Sequence, residues 1–186
     1  MKSLKQSIIE HYESHWASQA REVRWERGRI DELPDDFCVL EFPPGKVHKT
    51  WIYATCCMSQ VGDEHLLEVC LFAPQQNDMH VELLTVIAHY HRTGSQLNFG
   101  HTVNFGRPWL PGSKCEFGLL SKPYLDGPEF EVLELSDMNE TVHFSWLIPI
   151  TREEREFKKE KGLEALEQQF ESQGLDYLDA HRASLI

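Results

Sequence analysis

The chain has 186 residues, of which 41% are hydrophobic and 26% are charged, so it can bury a full core and is not expected to be disordered. The formal net charge is −12, because 30 acidic side chains outnumber 18 lysines and arginines. Nucleic-acid binding needs a basic surface, so this charge argues against it, whereas it fits both a soluble protein and a protein with a basic partner. The apolar runs are too short for a transmembrane helix or a signal peptide, so we expect a cytoplasmic protein that does not bind membranes.

The first part of the chain predicts one helix followed by three strands. Residues 3–23 place apolar side chains at roughly helical spacing, which predicts an amphipathic N-terminal helix within residues 1–25. Runs rich in β-branched and aromatic residues then predict strands over 37–42, 50–57 and 66–72, and the short gaps between them favour antiparallel pairing. The 50–57 run is apolar on both faces, so we expect a central strand there.

The five cysteines are predicted to be buried free thiols. Their number is odd and four of them lie in apolar strand-like runs, which is typical of thiols in a reducing compartment. Cys56 and Cys57 are adjacent in a predicted strand, so they would point to opposite faces and make a poor pair of metal ligands. The cysteines are Cys38, Cys56, Cys57, Cys70 and Cys115.

A buried helix is predicted next. Asp78 can cap its start, and Gly94 can end it after about residue 91. A wide apolar stripe is expected to pack this helix against the sheet. The stripe comprises Met79, Leu83, Val86, Ile87 and Tyr90.

Three further strands are predicted in the second half of the chain. They cover 115–120, 130–135 and 142–148. Turn residues at 126–128 and 137–139 separate them. These runs add a second group of strands after the buried helix.

The C-terminal part predicts a long helix and a docked tail. Thr151 and Glu154 form a capping-box pattern that opens a helix over 152–172. Gly162 inside it costs about 1 kcal/mol relative to alanine, and it indicates either close packing or a kink. Apolar residues in 174–186 predict that the tail docks on the core.

The element order predicts the fold class. One helix, several strands, one helix, several strands and a last helix do not alternate as in a doubly wound fold. We therefore expect an α+β fold with a mixed, largely antiparallel central sheet flanked by helices, that is, an α/β sandwich. Residues 1–186 are expected to form a single domain.

The loop at 100–109 carries the strongest signal of a binding surface. It concentrates glycine, proline, arginine and large aromatic residues, so its backbone is shaped and is not a flexible spacer. Tryptophan and arginine dominate binding hot spots, which makes the loop a candidate partner-binding site. The alternative is a loop whose tryptophan folds back onto the core. The candidate residues are His101, Phe105, Arg107, Trp109 and Leu110.

The common catalytic motifs are missing from the sequence, and we predict no catalytic residue, cofactor or metal. One alternative is a small hydrolase or thiol enzyme in which His101 acts with a cysteine, and it depends only on those residue types. His101 could also be structural. His11 and His15 lie four residues apart on the predicted helix, where they could share a metal face, but we expect an exposed pair because further ligands have no defined spacing to them.

Several segments together carry a resemblance to a known family. They are 51–59, 67–74 with 81–84 after it, 100–108, 147–154 continuing to 162–166, and 179–185. In their order and spacing they resemble the suppressor of fused family, in its bacterial single-domain form. The match covers about residues 37–186, and it also accounts for Gly162 within a helix.

The resemblance implies a mixed α/β sandwich that binds a protein and has no catalytic activity. In animals the family member has a second domain, and the two domains clamp an extended peptide of a zinc-finger transcription factor. This chain is too short for the second domain, and residues 107–114 contain no acid where the animal loop has an acidic contact residue. Bacterial relatives include immunity proteins against toxins, so the resemblance implies a regulatory or toxin-immunity role, with a basic protein or toxin as a suitable partner.

Overall fold

The computed structural model describes residues 2–28 and 30–186. The helices in these residues are α1 (Leu4–Trp16), α2 (Asp78–Thr93), α3 (Arg152–Lys161) and α4 (Leu163–Gln173). The strands in the same residues are β1 (Arg21–Val23), β2 (Cys38–Phe42), β3 (Trp51–Cys56), β4 (Leu66–Ala73), β5 (Thr102–Asn104), β6 (Cys115–Ser121), β7 (Val132–Leu135) and β8 (Glu140–Thr151).

One mixed sheet joins the strands. Its order is β1-β2-β3-β4-β8-β6-β5, and β7 pairs with β8 outside this path. β4 and β8 run parallel, with Cys70 opposite Trp146, whereas the other pairs in the described residues are antiparallel. The prediction of an α+β fold with a mixed, largely antiparallel central sheet is confirmed.

The sheet separates two hydrophobic clusters, because successive residues of a strand point to opposite faces. In β4, Leu66 and Cys70 belong to the cluster that includes residues of α1 and α4. Leu67 and Leu71 belong to the cluster that includes residues of α2. All residues of β4 are buried, so helices cover both faces of the sheet.

The N-terminal helix is shorter than predicted. It ends at Trp16 because Ala17 adopts a left-handed conformation with φ of 47°. Val23 continues the helical spacing of the sequence, but it lies in β1 and pairs with Val39. The prediction of a helix over 3–23 is therefore wrong beyond Trp16, since apolar spacing alone does not detect a chain reversal.

The histidine pair of α1 was predicted to be exposed, and this prediction is wrong. His11 is 7% exposed, and its Nε2 lies 2.9 Å from the carbonyl oxygen of Phe130. His15 Nδ1 lies 2.8 Å from the carbonyl oxygen of His11. Burial lowers the pKa of His11, so its ring is held neutral among aromatic side chains.

Helix α2 matches its prediction in position but not in its buried face. Asn77 caps the helix by accepting from the backbone N–H of Met79 at 3.0 Å, so Asp78 is the first helical residue and not the cap. Val86 is 49% exposed and Tyr90 is 41% exposed. The apolar set covers so much of the helix circumference that the pattern does not fix which edge is buried. The buried residues include Val81, Leu84, Ile87, Ala88 and His91.

The predicted helix over 152–172 is two helices that meet at Gly162. This residue has φ of 94° and ψ of 168°, a conformation that is essentially limited to glycine. A Cβ built on Gly162 meets no described atom within 4 Å, so close packing does not explain the residue. The capping box of Thr151 and Glu154 at the start of α3 is formed as predicted.

The C-terminal tail packs against the cluster of α1 and α4. Leu175, Tyr177 and Leu185 are partly buried there, and Arg182 is 7% exposed. The chain turns into this segment at Gly174, which has φ of 69°. The tail thereby forms one side of the surface described below.

The five cysteines are free and buried, as predicted. Cys56 is the last residue of β3, and Cys57 has φ of 65° just beyond it. Both belong to the same hydrophobic cluster. The expectation that they point to opposite faces is wrong, because Cys57 has left the strand.

Candidate functional site

The loop at 100–109 folds onto the sheet and does not present its aromatic side chains. Phe105 is 6% exposed and Trp109 is 1% exposed, and both belong with Leu110 to the cluster of α2. The Trp109 indole Nε1 donates to His80 Nδ1 at 3.3 Å. Burial lowers the pKa of His80 to about 4, so the ring is neutral and Nδ1 can accept. An exposed hot spot is therefore not formed by these three side chains, which instead belong to the core.

Arg107 fixes the same loop to the start of α2. Its Nη2 donates to the carbonyl oxygen of Met79 and to Glu82 Oε2, both at 3.1 Å. Its Nη1 donates to the carbonyl oxygens of Pro108 at 3.0 Å and Trp109 at 3.1 Å. The guanidinium is thus engaged in holding the loop, and its predicted part in partner binding stays a prediction.

His101 is exposed beside the edge strand β5. Its backbone N–H donates to the carbonyl oxygen of Asn98 at 3.0 Å, and its carbonyl oxygen accepts from Leu120 at 2.9 Å. In the described residues no hydrogen bond joins its ring to a cysteine, and the cysteines are buried. This geometry gives no support to a thiol enzyme built on His101, and its role in partner contact stays a prediction.

The opposite face of the sheet carries a groove of about 720 Å³. It lies between α4, the end of β6, the middle of β8 and the C-terminal tail. We call it the α4 groove. Its floor is formed by Trp146, Ile148, Phe170 and Tyr177, and its rim by Glu164, Glu167 and Glu171.

The floor of the α4 groove is largely aromatic and buried. Trp146 and Ile148 are two residues apart in β8, so they lie on the same face of the sheet. Their exposures are 6% and 3%, and that of Phe170 from α4 is 6%. The Tyr177 ring meets the Trp146 ring edge to face, with 5.1 Å between centroids. The tail therefore packs directly against the tryptophan that lines the groove.

The rim of the α4 groove is acidic. Glu164, Glu167 and Glu171 are three and four residues apart on α4, so they share one face of the helix. Glu167 accepts from the Ser121 hydroxyl at 2.6 Å and from the Tyr124 hydroxyl at 3.2 Å. Burial and the nearby Glu167 carboxylate raise the pKa of Tyr124, so its hydroxyl remains a donor. Glu167 is thus oriented by the protein, while Glu164 and Glu171 are exposed.

The charged side chains of the groove are all acidic. Among the lining residues that the structure describes there is no lysine, arginine or histidine. In residues 2–28 and 30–186, ion pairs involve other acidic residues and not Glu164, Glu167 or Glu171. The mouth also exposes apolar surface, since Tyr124 is 59% exposed and Leu125 is 42% exposed.

Sequence reasoning did not identify the α4 groove. The three-and-four spacing of the glutamates on a helix was a readable signal, but it is equally typical of a solvated helix face. The contact of Glu167 with Ser121 joins positions 46 residues apart, and no local pattern predicts it.

Two further observations limit the chemistry. Within the part of the chain that the structure describes, no three histidine, cysteine or acidic side chains are arranged to hold a metal ion. No helix formed by the described residues combines the length and the apolar character needed to cross a membrane.

Comparison with known proteins identifies the family. The family described as Suppressor of fused protein (SUFU) matches residues 34–183. No curated protein matches the chain significantly.

Solved structures of this family are similar to the chain. A suppressor of fused homolog from Neisseria gonorrhoeae is 34% identical with a TM-score of 0.83, over 98% of this chain and 97% of that one. A structure described as the Sufu-Fu complex is 18% identical with a TM-score of 0.73, over 98% and 92% of the two chains. Suppressor of Fused from Drosophila is 17% identical with a TM-score of 0.70, over 97% of this chain and 50% of that one. The match over residues 34–183 and the likeness to the Neisseria protein agree with the resemblance seen in the sequence: the chain belongs to the suppressor of fused family.

Proposed function

We propose that this protein is a non-enzymatic protein-interaction domain whose partner binds in the α4 groove. The observation that carries the proposal is a groove that is lined by apolar residues including Trp146 and that has acidic side chains and no basic side chain in its lining. Exposed apolar surface rimmed by polar groups is typical of interaction sites. Tyr124 and Leu125 extend this surface at the mouth.

The relatives support a binding function. The Sufu-Fu structure is of a complex, so a protein with the same fold binds another protein. The family resemblance also implies a domain without catalytic activity. We propose by extension a cytoplasmic regulatory or toxin-immunity role, in which the partner is a protein and not a nucleic acid or a membrane.

The groove itself favours recognition over reaction. Its ionisable groups are the three glutamates of the rim together with Tyr124 and Tyr177. The serine that touches Glu167 is Ser121, which is fully buried and cannot reach a substrate. The Tyr124 hydroxyl donates to Glu167 at 3.2 Å, but its pKa is raised and the residue is 59% exposed, so this pair does not amount to the activated nucleophile that covalent catalysis needs.

The experiment is to recover and then reconstitute a complex. The tagged full chain is crosslinked in its own cells, the bound protein is identified by mass spectrometry, and the purified pair is titrated by calorimetry. Leu125→Asn at the groove mouth is expected to weaken the complex about tenfold, a loss of about 1.4 kcal/mol, because it replaces exposed apolar surface by a polar amide. Val61→Asn is the matched control, because Val61 is 55% exposed in the loop between β3 and β4.

Two results would contradict the proposal. One is the recovery of no specific partner across several growth conditions. The other is a reconstituted complex that responds to both variants equally. The role is decided by the partner: a toxin encoded next to this gene and neutralised by the purified chain supports immunity, whereas a non-toxic partner supports regulation.

A further inference from the structure

We infer that the α4 groove takes an extended protein segment in which one bulky apolar side chain is flanked on both sides by lysine or arginine. This inference depends on the proposed function, and it specifies the chemistry of the partner. The apolar side chain lies on the aromatic floor, and the cations meet the glutamates of the rim.

The floor selects an apolar anchor. Trp146, Phe170 and Tyr177 offer ring surface at the bottom of the groove, and Leu175 borders it from the tail. The groove volume of about 720 Å³ is within the range of sites that bury a small ligand, so one or two large side chains fit. Aromatic and aliphatic anchors in such concave sites carry most of the binding energy of an interface.

The rim selects positive charge. Glu164 and Glu171 are exposed, and they lack an ion-pair partner among the described residues, so both carboxylates can pair with cations of a partner. They are seven positions apart on α4, which corresponds to about 10 Å along the helix axis. Two cations placed one or two residues to either side of the anchor in an extended segment span a similar distance.

The overall negative charge of the chain favours a basic partner in the groove over a second copy of the chain. With a net charge of −12, a second copy of this chain approaches the acidic rim against electrostatic repulsion. A basic segment is instead attracted at long range, so its association is expected to be faster at low salt. We therefore assign the groove to a basic partner segment and not to self-association.

The first arm of the experiment uses synthetic peptides and the full chain. The probe is an acetylated and amidated peptide of sequence Gly-Lys-Lys-Phe-Lys-Lys-Gly, titrated by calorimetry and by tryptophan fluorescence. One comparison peptide replaces its lysines by glutamate, and the other replaces its phenylalanine by serine. We expect each comparison peptide to bind at least tenfold more weakly, and the probe to lose affinity as salt is raised.

The second arm uses matched charge reversals. The double variant Glu164→Lys and Glu171→Lys is expected to weaken the probe at least tenfold. The control is Glu64→Lys with Asp137→Lys, which changes the net charge equally near the start of β8, and neither residue lines the groove. Glu167 is left intact because it is bonded to Ser121 and Tyr124. Circular dichroism shows whether each variant is folded.

Each other outcome overturns the inference. Equal binding of the lysine and glutamate peptides means that the groove is a purely apolar site. Equal loss in both double variants means that only net charge is sensed. Sedimentation that reveals a dimer, abolished by the groove variant alone, assigns the groove to a second copy of the chain.

The same variants separate this inference from the proposed function. If a purified natural partner binds the groove variant as tightly as the wild type and the probe peptide does not compete, the inference fails while the protein-binding function stands. If no natural partner binds the chain at all, the proposed function fails, and the peptide titrations then report only the chemistry of the groove.

Discussion

The guanidinium of Arg182 forms a bidentate ion pair with the buried carboxylate of Glu154 through both of its terminal nitrogens. Nη1 lies 2.5 Å from Oε1 and Nη2 lies 2.8 Å from Oε2. Arg182 Nη2 also donates to the carbonyl oxygen of Pro149 at 3.0 Å, and Glu154 Oε2 accepts from the backbone N–H of Thr151 at 2.8 Å. One ion pair thus joins the tail, the end of β8 and the start of α3, and it holds the tail that closes one side of the α4 groove.

Removing the arginine of this pair is expected to be costly. Arg182→Met leaves Glu154, which is 0% exposed, as an uncompensated buried charge, and we expect a loss of about 3–5 kcal/mol in the free energy of unfolding. Urea denaturation measures it. Arg152→Met is the control, because Arg152 pairs with Glu116 on the surface and such a pair contributes about 0–1 kcal/mol. If both variants lost the same free energy of unfolding, the buried pair would contribute no more to stability than the surface pair.

Glu68 is expected to make stability fall as the pH rises. Burial raises its pKa from 4.5 to about 8, although it accepts from Thr55 Oγ1 at 2.5 Å and from the backbone N–H of Met58 at 3.0 Å. Between these two pH values the folded protein keeps a proton that the unfolded chain releases. Stability therefore decreases through this window, by at most about 1.4 kcal/mol per pH unit. Glu68→Gln should remove this slope from urea denaturation series, whereas Glu64→Gln, exposed in the loop before β4, should keep it.

His80 is expected to act in the opposite direction. Burial lowers its pKa from 6.5 to about 4, so below the higher value the unfolded chain binds a proton that the folded protein excludes. The contribution of the neutral His80 ring to the free energy of unfolding is complete above pH 6.5, and it is lost as the pH falls towards about 4. Burial lowers the pKa of His11 and His91 as well, which adds to the same trend.

Glu68 and His80 change the free energy of unfolding in opposite directions over the pH range in which both groups act. Variants of the two residues can therefore be compared directly in that range. Between about pH 5 and 6, Glu68→Gln should make stability rise more steeply with pH than in the wild type, and His80→Gln should make it rise less steeply than in the wild type. Thermal unfolding at several pH values measures both. Parallel curves for the wild type and His80→Gln would rule out the buried neutral ring as a source of pH dependence.

The sequence predicts most of the elements but few of the contacts that define the groove. Strands such as Trp51–Cys56 were found because dense β-branched and aromatic runs are a local signal. The edge strands β1 and β5 have three residues each, and they exist only because a longer neighbour supplies their hydrogen bonds. Trp109 is buried in the cluster of α2, where it bonds to His80 from 29 positions away, and no local sequence pattern predicts such contacts. The groove likewise needs the tail to reach Trp146 before it exists.

For Gly162→Ala, the sequence and the structure predict changes in stability of opposite sign. In a continuous helix Gly162→Ala would stabilise the protein by about 1 kcal/mol. In the observed structure the residue has φ of 94° and ψ of 168°, and forcing alanine into this region costs about 1–3 kcal/mol. The cost comes from the backbone, because an added Cβ meets no described atom within 4 Å. Urea denaturation should therefore show Gly162→Ala to be less stable than the wild type. A more stable variant would mean that α3 and α4 join into one helix, which would also swing the glutamates of α4 away from the groove.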